Sequence, residues 1–184
     1  MPPPGPPGEP SDDALMALAD AGSFAVLVSR HQSSVRRLCE IILADASLAR
    51  DVAQQSFLRV WEHRRRYKPN GKFRELLFTV ARNESRRVLR RRGFMSFFGL
   101  APQTHPIAEP LEDPVSRRQT SALVQAAMVR LPEHFRVPLA LRFIEGMSHE
   151  EIAVVIGRTP STARSRVHYG LKALSEFLPG DLTP

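Results

Sequence analysis

Residues 147–167 read MSHEEIAVVIGRTPSTARSRV, and this stretch decides how the rest of the chain is read. Ser148-His149-Glu150-Glu151 has the form of a capping box, in which the Ser hydroxyl takes a free backbone N–H and Glu151 reaches back to the cap. Ile152, Ala153, Val155 and Ile156 then supply one apolar face, and Gly157 suits the left-handed residue that ends a helix. Thr159 is placed to cap a second helix with Pro160 at its first position, where the missing N–H costs nothing. A short helix, a glycine turn and a capped helix form the helix-turn-helix signature.

Such a pair can dock a partner helix, complete a bundle or enter a DNA groove. On the second helix Ala163, Val167, Leu171 and Leu174 share a narrow arc and are expected in the core. The opposite side carries Ser161, Thr162, Arg164, Ser165, Arg166, His168 and Lys172, side chains suited to phosphates and base edges. A solvated bundle face would look similar, so the charge of the whole chain has to weigh in.

Lys+Arg exceeds Asp+Glu by 26 − 19 = 7, and the pI of about 10.6 favours a polyanionic partner. The excess is local. Residues 64–92 hold twelve Lys/Arg against Glu75 and Glu84, a net of +10, which leaves −3 for the remainder. The charge is therefore a patch rather than a general solubility device. The single cysteine, Cys39, forms no internal disulfide and sits in the apolar run LCEIIL, as a packed thiol would. No apolar run approaches the roughly 20 residues that span a bilayer, so no membrane insertion is expected. The start, MPPPGPPGEP, lacks the pattern of a signal peptide and reads as a disordered Pro-rich tail over residues 1–10.

The remainder reads as all-α: two small helical domains, 11–92 and 117–184, joined by a flexible Pro/Gly-containing linker over 93–116. In the first domain Ser11, Ser23 and Ser47 are placed to start three helices, and a fourth runs from about Lys72 to Arg92. The linker carries Phe94, Phe97 and Phe98, which are expected to dock on a partner or to cluster on the free protein. In the C-terminal domain Pro138 implies a kink or a late helix start, and Gly170 costs its helix roughly 1 kcal/mol relative to Ala.

Residues 131–174 resemble the promoter-binding C-terminal domain of the extracytoplasmic-function (ECF) sigma factors of bacterial RNA polymerase. The resemblance rests on Leu131-Pro132-Glu133, Leu141-Arg142-Phe143, Glu145-Gly146-Met147-Ser148, Glu151-Ile152-Ala153 and Thr162-Ala163-Arg164-Ser165-Arg166. The first domain resembles the same family independently, through DVAQQSFLRVW (51–61) and FRELLFTVARN (73–83). The resemblance implies contacts to core RNA polymerase from Asp51, Gln54, Gln55, Phe57, Leu58 and Trp61, with Phe57 and Trp61 also read as core residues. It implies minus-thirty-five recognition by the helix-turn-helix. Minus-ten recognition and melting then fall to Lys72, Arg74, Arg82, Arg86, Arg87, Arg90 and Arg91, cations suited to holding an unpaired strand, and to Asn83, which with Arg82 matches the family's Arg-Asn pair. Promoter DNA and an anti-sigma factor complete the implied partners, in the cytoplasm.

Three departures from the family pattern stand out: Leu76 stands where Trp is common, Arg87 where Asp is common, and in the polymerase-binding helix Gln55-Ser56 replaces Glu-Thr while Arg50 stands where an acidic residue is frequent. The polymerase-binding face is thereby less acidic, and phosphorylation of Ser56 is one way to restore its charge. The six histidines (His31, His63, His105, His134, His149, His168) show no metal-ligand spacing, and no cofactor motif, phosphate-cradling loop or nucleophile elbow is present. A non-enzyme is expected. A stand-alone helix-turn-helix regulator, or a degenerate sigma acting only as a protein-interaction module, are the other readings the sequence leaves open.

Overall fold

The computed structural model describes residues 9–97, 123–124 and 126–178. Within them the regular structure is helical: α1 (Asp12–Leu18), α2 (Ala21–Leu43), α3 (Ala46–Glu62), α4 (Phe73–Phe97), α5 (Glu133–Leu139), α6 (His149–Ile156) and α7 (Pro160–Ser175). A 3-10 turn (Arg64–Arg66) follows α3, and residues 126–130 are helical ahead of α5. The tail 1–8, most of the linker, and the side chains of Phe94, Phe97 and Phe98 lie outside the described residues.

Two of the expected caps are displaced. Asp20, not Ser23, caps α2: its Oδ1 accepts the Ser23 amide at 2.9 Å and its Oδ2 the Ser23 hydroxyl at 2.7 Å. Asp45, not Ser47, caps α3 through the Leu48 amide at 3.0 Å. In each case a carboxylate three residues upstream of an amide competes with a serine and wins, because a charged acceptor makes the stronger bond to the free N–H. Asp45 also takes Arg92 Nη2 at 3.0 Å, tying the far part of α4 to the start of α3. The predicted stop at Gly93 does not occur either, and α4 continues to Phe97. Gly93 has open space around it, so nothing there requires the chain to turn.

Helices α2, α3 and α4 pack around Leu27, Val35, Leu38, Ile42, Phe57, Val60, Phe73, Leu77 and Phe78. Full burial of such side chains contributes about 1.5–3 kcal/mol each. The second group, α5 to α7, closes around Val137, Leu139, Leu141, Met147, Ile152, Val155 and Ile156. The two groups touch, α4 against α6 and α2 against α5.

Pro138 lies inside α5, which starts at Glu133, so the late start does not occur. Instead the helix loosens after the proline into a π turn over Ala140–Ile144, closed by the Glu145 amide on the Ala140 carbonyl at 3.2 Å. Gly170 has a packing reason that its helix propensity conceals. A Cβ there would sit 3.1 Å from Leu139 Cγ and Cδ1 and 3.3 Å from Phe135 Cβ, so α7 can lie this close to α5 only with glycine.

Candidate nucleic-acid interface

The helix-turn-helix forms as its sequence dictates. Ser148 accepts the Glu151 amide at 3.1 Å and donates its own amide to Glu151 Oε2 at 2.6 Å, completing the capping box. Gly157 takes φ 64°, and the Arg158 amide closes the end of α6 on the Ala153 carbonyl at 2.9 Å. Thr159 caps α7 through the Thr162 amide at 3.2 Å. Buried Ala163, Val167, Gly170 and Leu174 then fix the rotation of α7, with Leu171 half-buried. Ser161, Arg164, Ser165, His168 and Lys172 are exposed, while Thr162 and Arg166 are half-buried at the edge of the same face. Tyr169 joins the exposed side and sets its ring edge-on to His168, with centroids 5.2 Å apart.

On α4, Phe73, Leu77, Phe78, Ala81 and Ser85 are buried and fix the helix rotation. At 100° per residue Asn83, Arg86, Arg87 and Arg90 fall within about 100° of arc on the opposite side, all exposed, with Arg91 beside them. Glu84 splits between Arg59 at 2.6 Å and Arg87 at 3.6 Å. Lys72 is exposed just before the helix. Arg74 and Arg82 turn away from that face. Arg74 lies over the Phe78 ring at 5.5 Å and reaches Glu145, both its carbonyl and its Oε2, the latter at 3.5 Å.

Arg82 and Arg86 both face Glu133, at 3.6 and 3.5 Å. Burial pushes the pKa of Arg82 down, Glu133 pushes it up, and Arg86, Arg166 and Arg158 push it down again. An Arg remains charged through such a shift. Cations of both halves thus lie close together, with acids of the second half (Glu133, Glu145) meeting four cations of the first: Arg82 and Arg86 at Glu133, and Arg74 and, at 4.0 Å, Arg37 at Glu145. Neither glutamate was a candidate from sequence, because their partners lie 47 or more positions away along the chain.

Beside α3 an open apolar groove of about 820 Å³ runs along α2. Gln54, Phe57, Leu58 and Trp61 line it from α3, and Phe24 and Val28 from α2. The Phe24 ring lies 5.0 Å from Trp61 and 6.5 Å, edge-on, from Phe57. Leu58 is 47% exposed, whereas Phe57 is 7% exposed and serves mainly as core. Asp51 and Gln55 are exposed on the same helix but do not line the groove. Ser56 corrects an expectation: it is fully buried and its hydroxyl donates to the Val52 carbonyl at 2.7 Å, so a kinase has no access to it in this fold.

Among the described residues no cluster of His, Cys, Asp and Glu could hold a metal ion, and no helix is long and apolar enough to cross a membrane. Burial raises the Cys39 thiol to about 11, which suits the packed role expected of it.

The family models for Sigma-70 region 2 and Sigma-70, region 4 match residues 27–94 and 121–174. The chain is 33% identical over 183 residues to the ECF RNA polymerase sigma factor SigE of Mycolicibacterium smegmatis, covering 92% of this chain and 70% of that one. The chain belongs to the ECF RNA polymerase sigma factor family. It is also 31% identical over 156 residues to the RNA polymerase sigma factor CarQ of Myxococcus xanthus, at 85% and 89% coverage. Its fold is similar to that of RpoE from Bartonella quintana, solved with the anti-sigma factor NepR (TM-score 0.75, 21% identity, 88% and 99% coverage). It is similar as well to that of CnrH, solved with the cytosolic domain of CnrY (TM-score 0.69, 23% identity, 90% and 95% coverage). As a sigma factor this protein directs transcription initiation by RNA polymerase, and its family is not an enzyme family. The free-standing regulator and the inert interaction module are thereby set aside.

Proposed function

We propose that the two exposed cationic faces divide promoter recognition between them. Asn83, Arg86, Arg87, Arg90 and Arg91 on α4, with Lys72 ahead of it, hold the minus-ten region and its unpaired strand. Ser161, Thr162, Arg164, Ser165, Arg166, His168 and Lys172 on α7 read the minus-thirty-five duplex. Asp51, Gln54, Gln55, Leu58 and Trp61 on α3 bind core RNA polymerase, the apolar groove taking a hydrophobic ridge and the exposed amides its polar flank. The observation that carries this reading is the exposed arc of Asn83, Arg86 and Arg90 on α4, opposite a fully packed face. Phosphate-directed charge held on a rigid helix is what strand holding demands.

The two elements are centred about 25 base pairs apart, roughly 85 Å along B-form DNA. Arg158 and Arg166 here lie near enough to Arg82 to shift its pKa. Occupying both elements at once therefore requires α4 and α6 to part, releasing Arg74, Arg82 and Arg86 from Glu145 and Glu133. An anti-sigma factor is a further partner on this reading, as the Bartonella quintana protein of similar fold was solved in complex with one. The site of action is the cytoplasm, and the protein does no bond chemistry of its own. Run-off transcription on genomic fragments with core RNA polymerase tests the reading: new start sites appear only with the protein present. No new start on any fragment would sink it.

A further inference from the structure

Helix α1 is only about two turns long, yet its second residue organises a distant loop. Asp13 Oδ1 accepts the Tyr67 hydroxyl at 2.5 Å and the backbone amides of Asn70 and Gly71, each at 2.9 Å. Its Oδ2 accepts the Phe73 amide at 3.4 Å. Burial alone would raise the pKa of this carboxyl. The four hydrogen bonds outweigh burial and hold it below the usual carboxylate range, as a charge-assisted cage does. Gly71 at φ 72° turns its amide inward, and the Tyr67 ring packs edge-on against Phe73 at 6.1 Å. The other end of the loop is fixed to the same helix, since Arg64 Nε donates to the Ala19 carbonyl at 3.2 Å and its guanidinium lies 3.7 Å over Trp61. Helix α1 is itself held to α2 by Asp12, through Arg30 at 2.9 Å and His31 at 2.6 Å.

The loop held in this way presents Arg65, Arg66, Lys68 and Lys72 to solvent immediately ahead of α4. We infer that Asp13 is a positioning residue for strand holding: it fixes residues 67–72 so that their cations continue the cationic face of α4. Without the cage five or more residues between α3 and α4 regain backbone freedom, and that freedom has to be lost again each time a strand binds. A cation on a fixed loop binds phosphate without this cost; the same cation on a mobile loop does not.

The inference rests on the reading of α4 as the strand-holding helix, and the test separates the two. Holoenzyme is assembled from core RNA polymerase and full-length protein, and its affinity for a mixed-sequence single strand of roughly 20 nucleotides, longer than one binding groove covers, is compared with that of core alone. Asp13→Ala weakens strand binding about tenfold while affinity for core stays within about twofold, because Asp13 lies away from the α3 groove. Asp13→Asn falls between wild type and Asp13→Ala, since one oxygen still accepts, and Tyr67→Phe costs about two- to threefold. A general unfolding of the domain would reduce core binding in parallel, and that result overturns the inference. So does unchanged strand affinity in Asp13→Ala when the double variant Arg86→Ala/Arg90→Ala loses it. If wild-type holoenzyme binds the strand no better than core alone, the reading of α4 fails and takes this inference with it.

Discussion

Helices α4 and α7 are both cationic, and the fold treats their charges in opposite ways. On α7 Arg164 and Lys172 stand exposed and Arg166 sits at the edge of the same face, and none of the three forms an ion pair among the described residues. On α4 Arg74, Arg82 and Arg86 are met by Glu145 and Glu133, acids supplied by the other half of the chain. On the proposed division of labour, the free helix is ready for duplex DNA as it stands, because duplex phosphates are always available. The covered helix, on the same proposal, holds an unpaired strand, which exists only after polymerase has engaged. Covering its cations lowers the non-specific attraction that any basic surface has for nucleic acid.

The comparison breaks if the two faces prove interchangeable. Arg86→Ala/Arg90→Ala removes two exposed cations from the strand-holding arc and is expected to lower run-off transcription about 100-fold, with folding stability changed by less than about 0.5 kcal/mol. Thermal unfolding beside the transcription assay separates the two quantities. A smaller loss, about tenfold, is expected for Arg164→Ala/Arg166→Ala, because α4 still engages the promoter. The slope of log affinity for promoter duplex against log salt falls by about 2 in that variant. Transcription from a template already opened over the minus-ten region is expected to survive in it. If pre-opening the template does not rescue the α7 variant, the division of labour is wrong.

Much of this was legible from local pattern and some could not be. The helix-turn-helix lay within 21 consecutive residues, with cap, box, glycine and proline at fixed offsets, so each signal reinforced the next. The cations of α4 were legible as a group from the charge run and the family resemblance, but not which of them share the exposed arc: Arg74 and Arg82 turn to Glu145 and Glu133 instead. Ser23 and Ser47 were wrong as caps because an aspartate stood just upstream of each and the pattern did not rank two neighbouring acceptors. Ser56 shows the limit more plainly. Its neighbours Gln55 and Gln54 are exposed, and one step of 100° around the helix takes it from solvent to full burial. Asp13, Glu133 and Glu145 acquire partners only through tertiary packing, which leaves no local trace in sequence.

Gly170 sharpens the same point and is a prediction of intermediate size. Helix propensity says Gly170→Ala stabilises by up to about 1 kcal/mol. The 3.1 Å approach to Leu139 Cγ, an internal branch point rather than a flexible end, says the added methyl forces α5 and α7 apart at about 1–3 kcal/mol. The net expectation is destabilisation by about 1 kcal/mol, read from the midpoint of thermal unfolding. Gly93→Ala is the matched control. It is helical with open space around it, so propensity alone applies and the midpoint rises.

The smallest expected effect bears most directly on the covered helix. Glu133→Gln leaves side-chain shape almost unchanged and removes the charge facing Arg82 and Arg86. Both pairs are loose, at 3.6 and 3.5 Å, and Glu133 is itself 28% exposed, so each contributes no more than about 0.2–1 kcal/mol. Global stability therefore barely moves. Affinity of the free protein for a mixed-sequence single strand rises by about two- to fivefold, because Arg86 no longer has to leave an acid to meet a phosphate. The gain shrinks as salt is raised past physiological strength, since added ions screen the glutamate in the wild type as well. An Arg164→Ala variant gains nothing in the same assay, because nothing covers Arg164 to begin with. Equal responses from the two helices would mean that the acids over α4 are a packing detail and not a guard on its charge.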